Sequence, residues 1–183
     1  MSLHAPRISP NSTPGNPPAL TGFADLPTRK RRSYLSWMPL RILLADDCLS
    51  VRQGVKTLLE RDGFEVVAEA ADGREAVRLA QAHRPDVAVL DLAMPQLNGL
   101  DTAHEILQVC PGTRAILLTI HTEEYQILMA LRRGIRGYIV KTHAAEELAQ
   151  AIREVAGGRI YLSPSVFQVV VEAYLANIKP PIP

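Results

Sequence analysis

Asp46, Asp47, Asp91, Thr119 and Lys141 are widely separated in the chain, yet their side chains suit one chemistry if folding gathers them. The three aspartates offer only oxygen donors and repel one another when brought close. A hard divalent cation relieves that repulsion, and an all-oxygen donor set favours magnesium over zinc. A lysine adds a further positive charge and a threonine adds a hydroxyl. A carboxylate beside a cation is a nucleophile for phosphoryl transfer, and the surrounding positive charge neutralises the oxygens of the group being moved. These residue types predict a binding site for a phosphoryl group attached to a carboxylate, assisted by Mg2+, with Thr119 and Lys141 on its other oxygens. Taken singly, each has an ordinary use. Asp46–Asp47 would cap a helix, Asp91 would sit in a turn, Thr119 would fill a strand, and Lys141 would be a solvated charge.

The case therefore depends on the elements that position them. Short aliphatic runs at 41–45, 64–70, 86–90, 114–119 and 136–140 read as strands. Runs such as VAVL and AILL are apolar on both faces, the pattern of strands covered on two sides. Helical periodicity fills the intervals at about 50–61, 73–83, 98–109, 123–133 and 144–156. Asp62–Gly63, Asp72–Gly73, Pro111–Gly112 and Gly134 mark the joints. Five βα units in succession imply a parallel sheet with helices on both faces. Sites in such sheets lie at the carboxyl ends of the strands. Strand 1 runs into Asp46–Asp47, strand 3 into Asp91, strand 4 into Thr119 and strand 5 into Lys141. Shared placement at one sheet edge is what lifts these residues above their ordinary uses.

Outside this core, residues 1–37 are rich in Pro, Ser, Asn and Thr without apolar period, and are expected to form a disordered tail. The run RKRR at 29–32 reads as a solvated charge run. Met38, directly before the first periodic segment, is expected to be a natural start. Residues 38–158 form the expected domain, and 159–183 an added helix and linker stub. Ser163 with Pro164 reads as a helix start, giving a sixth helix over about 164–176.

Composition narrows the function classes. The chain of 183 residues is 47% hydrophobic but only 5% aromatic, so its core must be aliphatic. The tail holds five cations (Arg7, Arg29, Lys30, Arg31 and Arg32) against Asp25, which leaves the rest mildly acidic and poorly suited to bind nucleic acid by itself. Cys48 and Cys110 form neither a CxxC nor a zinc pattern. No apolar run has the length of a membrane span. His83, His104 and His143 read as surface or capping residues, and nothing marks Cys48 as a nucleophile.

Residues 41–157 resemble the receiver domain of two-component response regulators, and the segment DLAMPQLNG at 91–99 is similar to that family's phosphoacceptor signature. The resemblance implies a flavodoxin-like (βα)5 fold with a five-stranded parallel sheet in the order 2-1-3-4-5. It implies phosphorylation of Asp91 by a sensor histidine kinase. It implies Mg2+ held directly by Asp47, Asp91 and the backbone carbonyl of Ala93, with Asp46 acting through water. Thr119 and Tyr138 match the switch pair, and Lys141 the family's lysine. On phosphorylation Thr119 is drawn towards the phosphoryl group and Tyr138 rotates inward, while helices 1 and 5 are implied dimer surfaces. The resemblance further implies a cytoplasmic, non-enzymatic switch with no membrane partner. Residues 137–164 are similar to the subgroup with a LuxR-type helix-turn-helix, so DNA would be reached only through such a domain, which this sequence does not contain. A stand-alone phosphoryl shuttle or protein-interaction switch without DNA-binding output is the alternative. An aspartate-dependent phosphatase is disfavoured by Ala93 two residues after Asp91, and a flavin module by the acids in the first loop. Two positions depart from the family pattern. Ile120 replaces a small residue and narrows access to the phosphoryl group. Thr142 replaces proline and predicts a trans peptide after Lys141.

Overall fold

A computed structural model describes residues 38–177; the expected tail over 1–37 and the expected linker over 178–183 lie outside the described residues. Strands β1 (Arg41–Ala45), β2 (Glu65–Ala70), β3 (Val87–Asp91), β4 (Arg114–Thr119) and β5 (Gly137–Val140) alternate with helices α1 (Leu49–Arg61), α2 (Gly73–His83), α3 (Gly99–Val109), α4 (Glu124–Arg132) and α5 (Ala144–Ala156). All strands are parallel, in the order β2-β1-β3-β4-β5, as the βα alternation requires. The sheet does not stop at five strands. A short sixth strand, β6 (Tyr161–Leu162), pairs in parallel with β5 through Gly137↔Tyr161 and Tyr138↔Leu162. Helix α6 (Pro164–Asn177) follows it directly.

The period of two in each strand sorts the core into two layers. Ile42, Leu44, Val87, Val89, Ile116, Leu118 and Ile139 pack with Val55 and Leu59 of α1 and Leu148, Ile152 and Val155 of α5. The intervening Leu43, Ala45, Ala88, Leu90, Ala115 and Leu117 pack with α2, α3 and α4 through Ala76, Ala80, Ala103, Ile106, Ile127 and Ala130. Small residues on these helices let them lie close to the sheet. Val166 of α6 joins this second layer.

Local signals close the units. Asp72 accepts a hydrogen bond from the Glu75 amide at 2.8 Å, and the Glu75 carboxylate accepts one from the Ala71 amide at 3.1 Å, so the start of α2 is capped reciprocally. Asn98 caps α3 by accepting from the Asp101 amide at 2.9 Å. The carboxyl ends of β1, β3, β4 and β5 come out at one rim of the sheet, which brings Ala45, Asp91, Thr119 and Val140 to neighbouring positions.

Candidate functional site

At that rim the first turn after β1 holds Asp46 and Asp47. Asp46 is buried (2% exposed) and Asp47 is exposed. The Asp46 amide donates to the Ala70 carbonyl at 3.2 Å, and Asp46 Oδ1 accepts from the Cys48 amide at 2.9 Å. That second bond is an Asx turn, which sets the direction in which the chain enters α1. Arg52, one helical turn on, donates from its guanidinium to the Asp46 carbonyl and lies 3.6 Å from the Glu69 carboxylate. Lys56 meets the same carboxylate at 2.6 Å. The loop is thus held from both backbone and side chain.

Asp91, the last residue of β3, is also buried (6% exposed). One carboxylate oxygen from each of Asp46, Asp47 and Asp91 lies within 4.8 Å of the others. Lys141 joins them at the start of a 3-10 turn, Lys141–His143, that follows β5. Its Nζ donates to Asp46 Oδ2 at 2.8 Å and lies 3.0 Å from Asp91 Oδ1. Burial by itself would lower the Lys141 ammonium; its hydrogen bonds to Asp46 and Asp91 outweigh that and hold it above the usual lysine value. One ammonium offsets one of the three carboxylates. Two negative charges are left on hard oxygen donors, a set that fits a single divalent cation. No histidine or cysteine joins this group among the described residues.

The loop after β3 is shaped by packing against Asp91 itself. The Gly99 amide donates to the Leu92 carbonyl at 2.9 Å, and a Cβ at residue 99 would stand 2.1 Å from the Asp91 carbonyl oxygen. Only glycine allows the DLAMPQLNG segment to fold back this closely. Ala93 is exposed in this loop, while Leu92 and Met94 on either side are buried.

On the next strand, Asp91 is in register with Leu118, so Thr119 lies one residue beyond it. Thr119 is buried, and its hydroxyl accepts from the His121 amide at 3.0 Å, which leaves its own hydrogen to donate. Tyr138, from β5, is 1% exposed and already occupies the interior, its hydroxyl donating to the His121 carbonyl at 3.0 Å. Burial pushes the Tyr138 phenol up to about 12, with the Glu123 carboxylate adding to the effect. His121 is therefore hydrogen-bonded through its backbone to both Thr119 and Tyr138. Ile120 between them is exposed. The peptide after Lys141 is trans, like every described peptide bond.

His104 is paired with Gln108 at 2.9 Å, and His143 meets Thr142 at 3.3 Å; neither belongs to the acidic group. Cys48 stands exposed at the start of α1, where a hydrogen bond with Ser50 is the chief reason its thiol is lowered. One residue at the rim, Arg52, is absent from the sequence expectations, and another, Ser163, has a different role from the expected one. Arg52 is signalled only by its place one turn into α1, which becomes meaningful once Asp46 is known to be its neighbour. Ser163 reads as a helix cap, but its hydroxyl is bonded to β5 and α5.

Residues 42–153 match the family described as the response regulator receiver domain. The transcriptional regulatory protein DegU of Brevibacillus brevis is 35% identical over 136 residues, covering 74% of this chain and 58% of DegU. The nitrate/nitrite response regulator protein NarL of Escherichia coli K12 is 34% identical over 140 residues, 76% of this chain and 65% of NarL. The chain thus spans less than two thirds of these relatives' length. Among solved structures, a LuxR-family two-component response regulator from Aurantimonas sp. SI85-9A1 superposes with a TM-score of 0.72 at 38% identity, covering 75% of this chain and 99% of that one. No helix among the described residues is long and apolar enough to cross a membrane.

Proposed function

The chain belongs to the response regulator receiver domain family, and from that premise we propose that it is a phosphorylation-dependent switch whose acceptor is Asp91, acting in the cytoplasm with a sensor histidine kinase as its donor. The observation that carries this reading is Lys141 Nζ, which bridges Asp46 at 2.8 Å and Asp91 at 3.0 Å at the carboxyl rim of the sheet. In the transfer, an Asp91 carboxylate oxygen attacks the phosphorus of the donor. The phosphorus–nitrogen bond of the phosphohistidine breaks, an acyl phosphate forms, and the leaving imidazole takes up a proton.

Asp46, Asp47 and Asp91, with the Ala93 carbonyl, are the residues that would hold Mg2+; bound there, the cation neutralises charge developing on the phosphoryl oxygens. Lys141 is already against the nucleophile and supplies a second positive charge without reorganisation. Thr119 has a hydroxyl hydrogen free to turn to a phosphoryl oxygen. Doing so strains its bond from the His121 amide, and the His121 carbonyl holds Tyr138. Thr119 and Tyr138 are thereby a two-position device: what moves one changes the hydrogen bonding of the other. The inward Tyr138 is consistent with such a device resting in one of its positions.

The names of DegU and NarL speak of transcriptional and nitrate/nitrite regulation of those proteins. By extension, this switch serves transcription regulation, with homodimerisation through α1 and α5 as its response and DNA contacted through a helix-turn-helix domain outside these 183 residues. The test is incubation of the chain with acetyl phosphate and magnesium, read by intact mass. A gain of one phosphoryl group that Asp91→Asn abolishes is expected. No adduct, or an adduct that survives Asp91→Asn, refutes the assignment.

A further inference from the structure

The parallel ladder between β5 and β6 ends after two residue pairs, Gly137↔Tyr161 and Tyr138↔Leu162. The Ser163 amide still donates to the Tyr138 carbonyl at 3.0 Å. The next amide of β5 facing that side is Val140, the residue before Lys141, and among the described residues no strand continues to meet it. The side chain of Ser163 takes the place of the missing strand: its hydroxyl oxygen accepts from the Val140 amide at 3.1 Å. That hydroxyl in turn donates to the Glu147 carboxylate of α5, which turns its lone pair towards Val140. Ser163 is 0% exposed, so none of these bonds is exchanged freely with water. Its carbonyl accepts from the Phe167 amide at 2.9 Å and opens α6.

We propose that Ser163 is a positioning residue for the Lys141 end of β5 and the bond through which that end is coupled to helix α6. A serine at a helix start ordinarily spends its hydroxyl on the first free amides of the helix. Here the hydroxyl is spent on β5 and α5 instead, and only the backbone of Ser163 serves α6. Lys141 therefore cannot shift relative to Asp91 without drawing on Val140, and Val140 cannot shift without drawing on the residue from which α6 springs. Helix α6 is seated by Val166 and Ala173, both buried, so a pull at its start changes how it lies on the second core layer. The coupling rests on the phosphoacceptor reading for its trigger, but the mechanical link is a property of the unmodified chain.

The experiment is amide exchange by NMR on the full chain, comparing wild type with Ser163→Ala and Ser163→Thr. In Ser163→Ala, the amides of Val140 and Phe167 should both exchange about tenfold faster, while those of Leu44 and Val89 stay unchanged. Ser163→Thr keeps the hydroxyl and should restore both to within about threefold of wild type. Faster exchange at Phe167 with Val140 unchanged would reduce Ser163 to a helix cap and overturn the proposal. So would an equal rise at all four amides, which is general loosening. A second arm adds magnesium and beryllium fluoride as a phosphoryl mimic. Wild type should shift the resonances of 166–173, and Ser163→Ala should lose more than half of that shift; a full shift in Ser163→Ala overturns the coupling. If wild type fails to bind the mimic, the phosphoacceptor reading fails, and the exchange arm alone decides whether Ser163 links Lys141 to α6.

Discussion

Replacing Lys141 by methionine isolates the electrostatics of the rim. Methionine keeps most of the lysine's bulk and removes its charge. Asp46 and Asp91 would then face each other buried, with Asp47 beside them and no cation. Two unit charges no more than 4.8 Å apart repel by at least roughly 3.5 kcal/mol at an effective dielectric of about 20. Stripping one partner from a buried ion pair costs about 3–5 kcal/mol, which agrees. At about 3 °C per kcal/mol for a domain of this size, the unfolding midpoint of Lys141→Met should fall by about 10 °C in chelator. Magnesium at several millimolar should recover most of the loss, because a divalent cation on the same oxygens removes the same repulsion. The assay is thermal unfolding of wild type and variant in chelator and in magnesium. An equal deficit in both buffers would show that the lysine is needed for packing and not for charge. No deficit in chelator would refute the buried carboxylate pair outright.

Two further outcomes follow from the geometry. Gly99→Ala places a Cβ 2.1 Å from the Asp91 carbonyl oxygen, so the loop must move; a loss of about 3 kcal/mol in urea unfolding is expected, together with slower phosphorylation by acetyl phosphate, and normal values for both would refute the close approach. Because the folded protein holds the Tyr138 proton up to about 12 while an unfolded tyrosine releases it near 10, wild-type stability should be intact below about pH 10 and fall by up to about 3 kcal/mol towards pH 12. Tyr138→Phe should lack that alkaline decline, and an unchanged profile in the variant would show that Tyr138 does not cause it.

How much of this was legible in the sequence depends on whether a feature is periodic or positional. The central strands announce themselves because runs such as VAVL and AILL are apolar on both faces, whereas β2 carries Glu65 and Glu69 and shows itself only as a short aliphatic run; the strand ends follow because a βα unit changes composition sharply where strand becomes loop. Asp91 is read as following β3 and proves to be its final residue, a difference of one position that keeps its carboxylate buried at the rim. The β6 strand was invisible for a physical reason. Tyr161 and Leu162 are too few to display alternation, and what makes them a strand is the unfilled edge of β5, a tertiary fact. Arg52 was missed similarly: an arginine in a first helical turn looks solvated until Asp46 and Glu69 are placed around it. Tyr138 shows the limit of motif reading, since spacing to Lys141 identifies the position but not which way the ring faces.

The two flanks of the sheet are finished differently. On one side the terminal strand is only the dipeptide Tyr161–Leu162, and the chain turns at once into α6. On the other, β2 is the outermost strand and carries Glu65 exposed and Glu69 engaged by Arg52 and Lys56. A neighbouring chain seeking to add a strand finds too short a template at the first flank and charge at the second, two common defences against strand-by-strand growth. Among the described residues, strand-by-strand growth is thus opposed at both edges of the sheet.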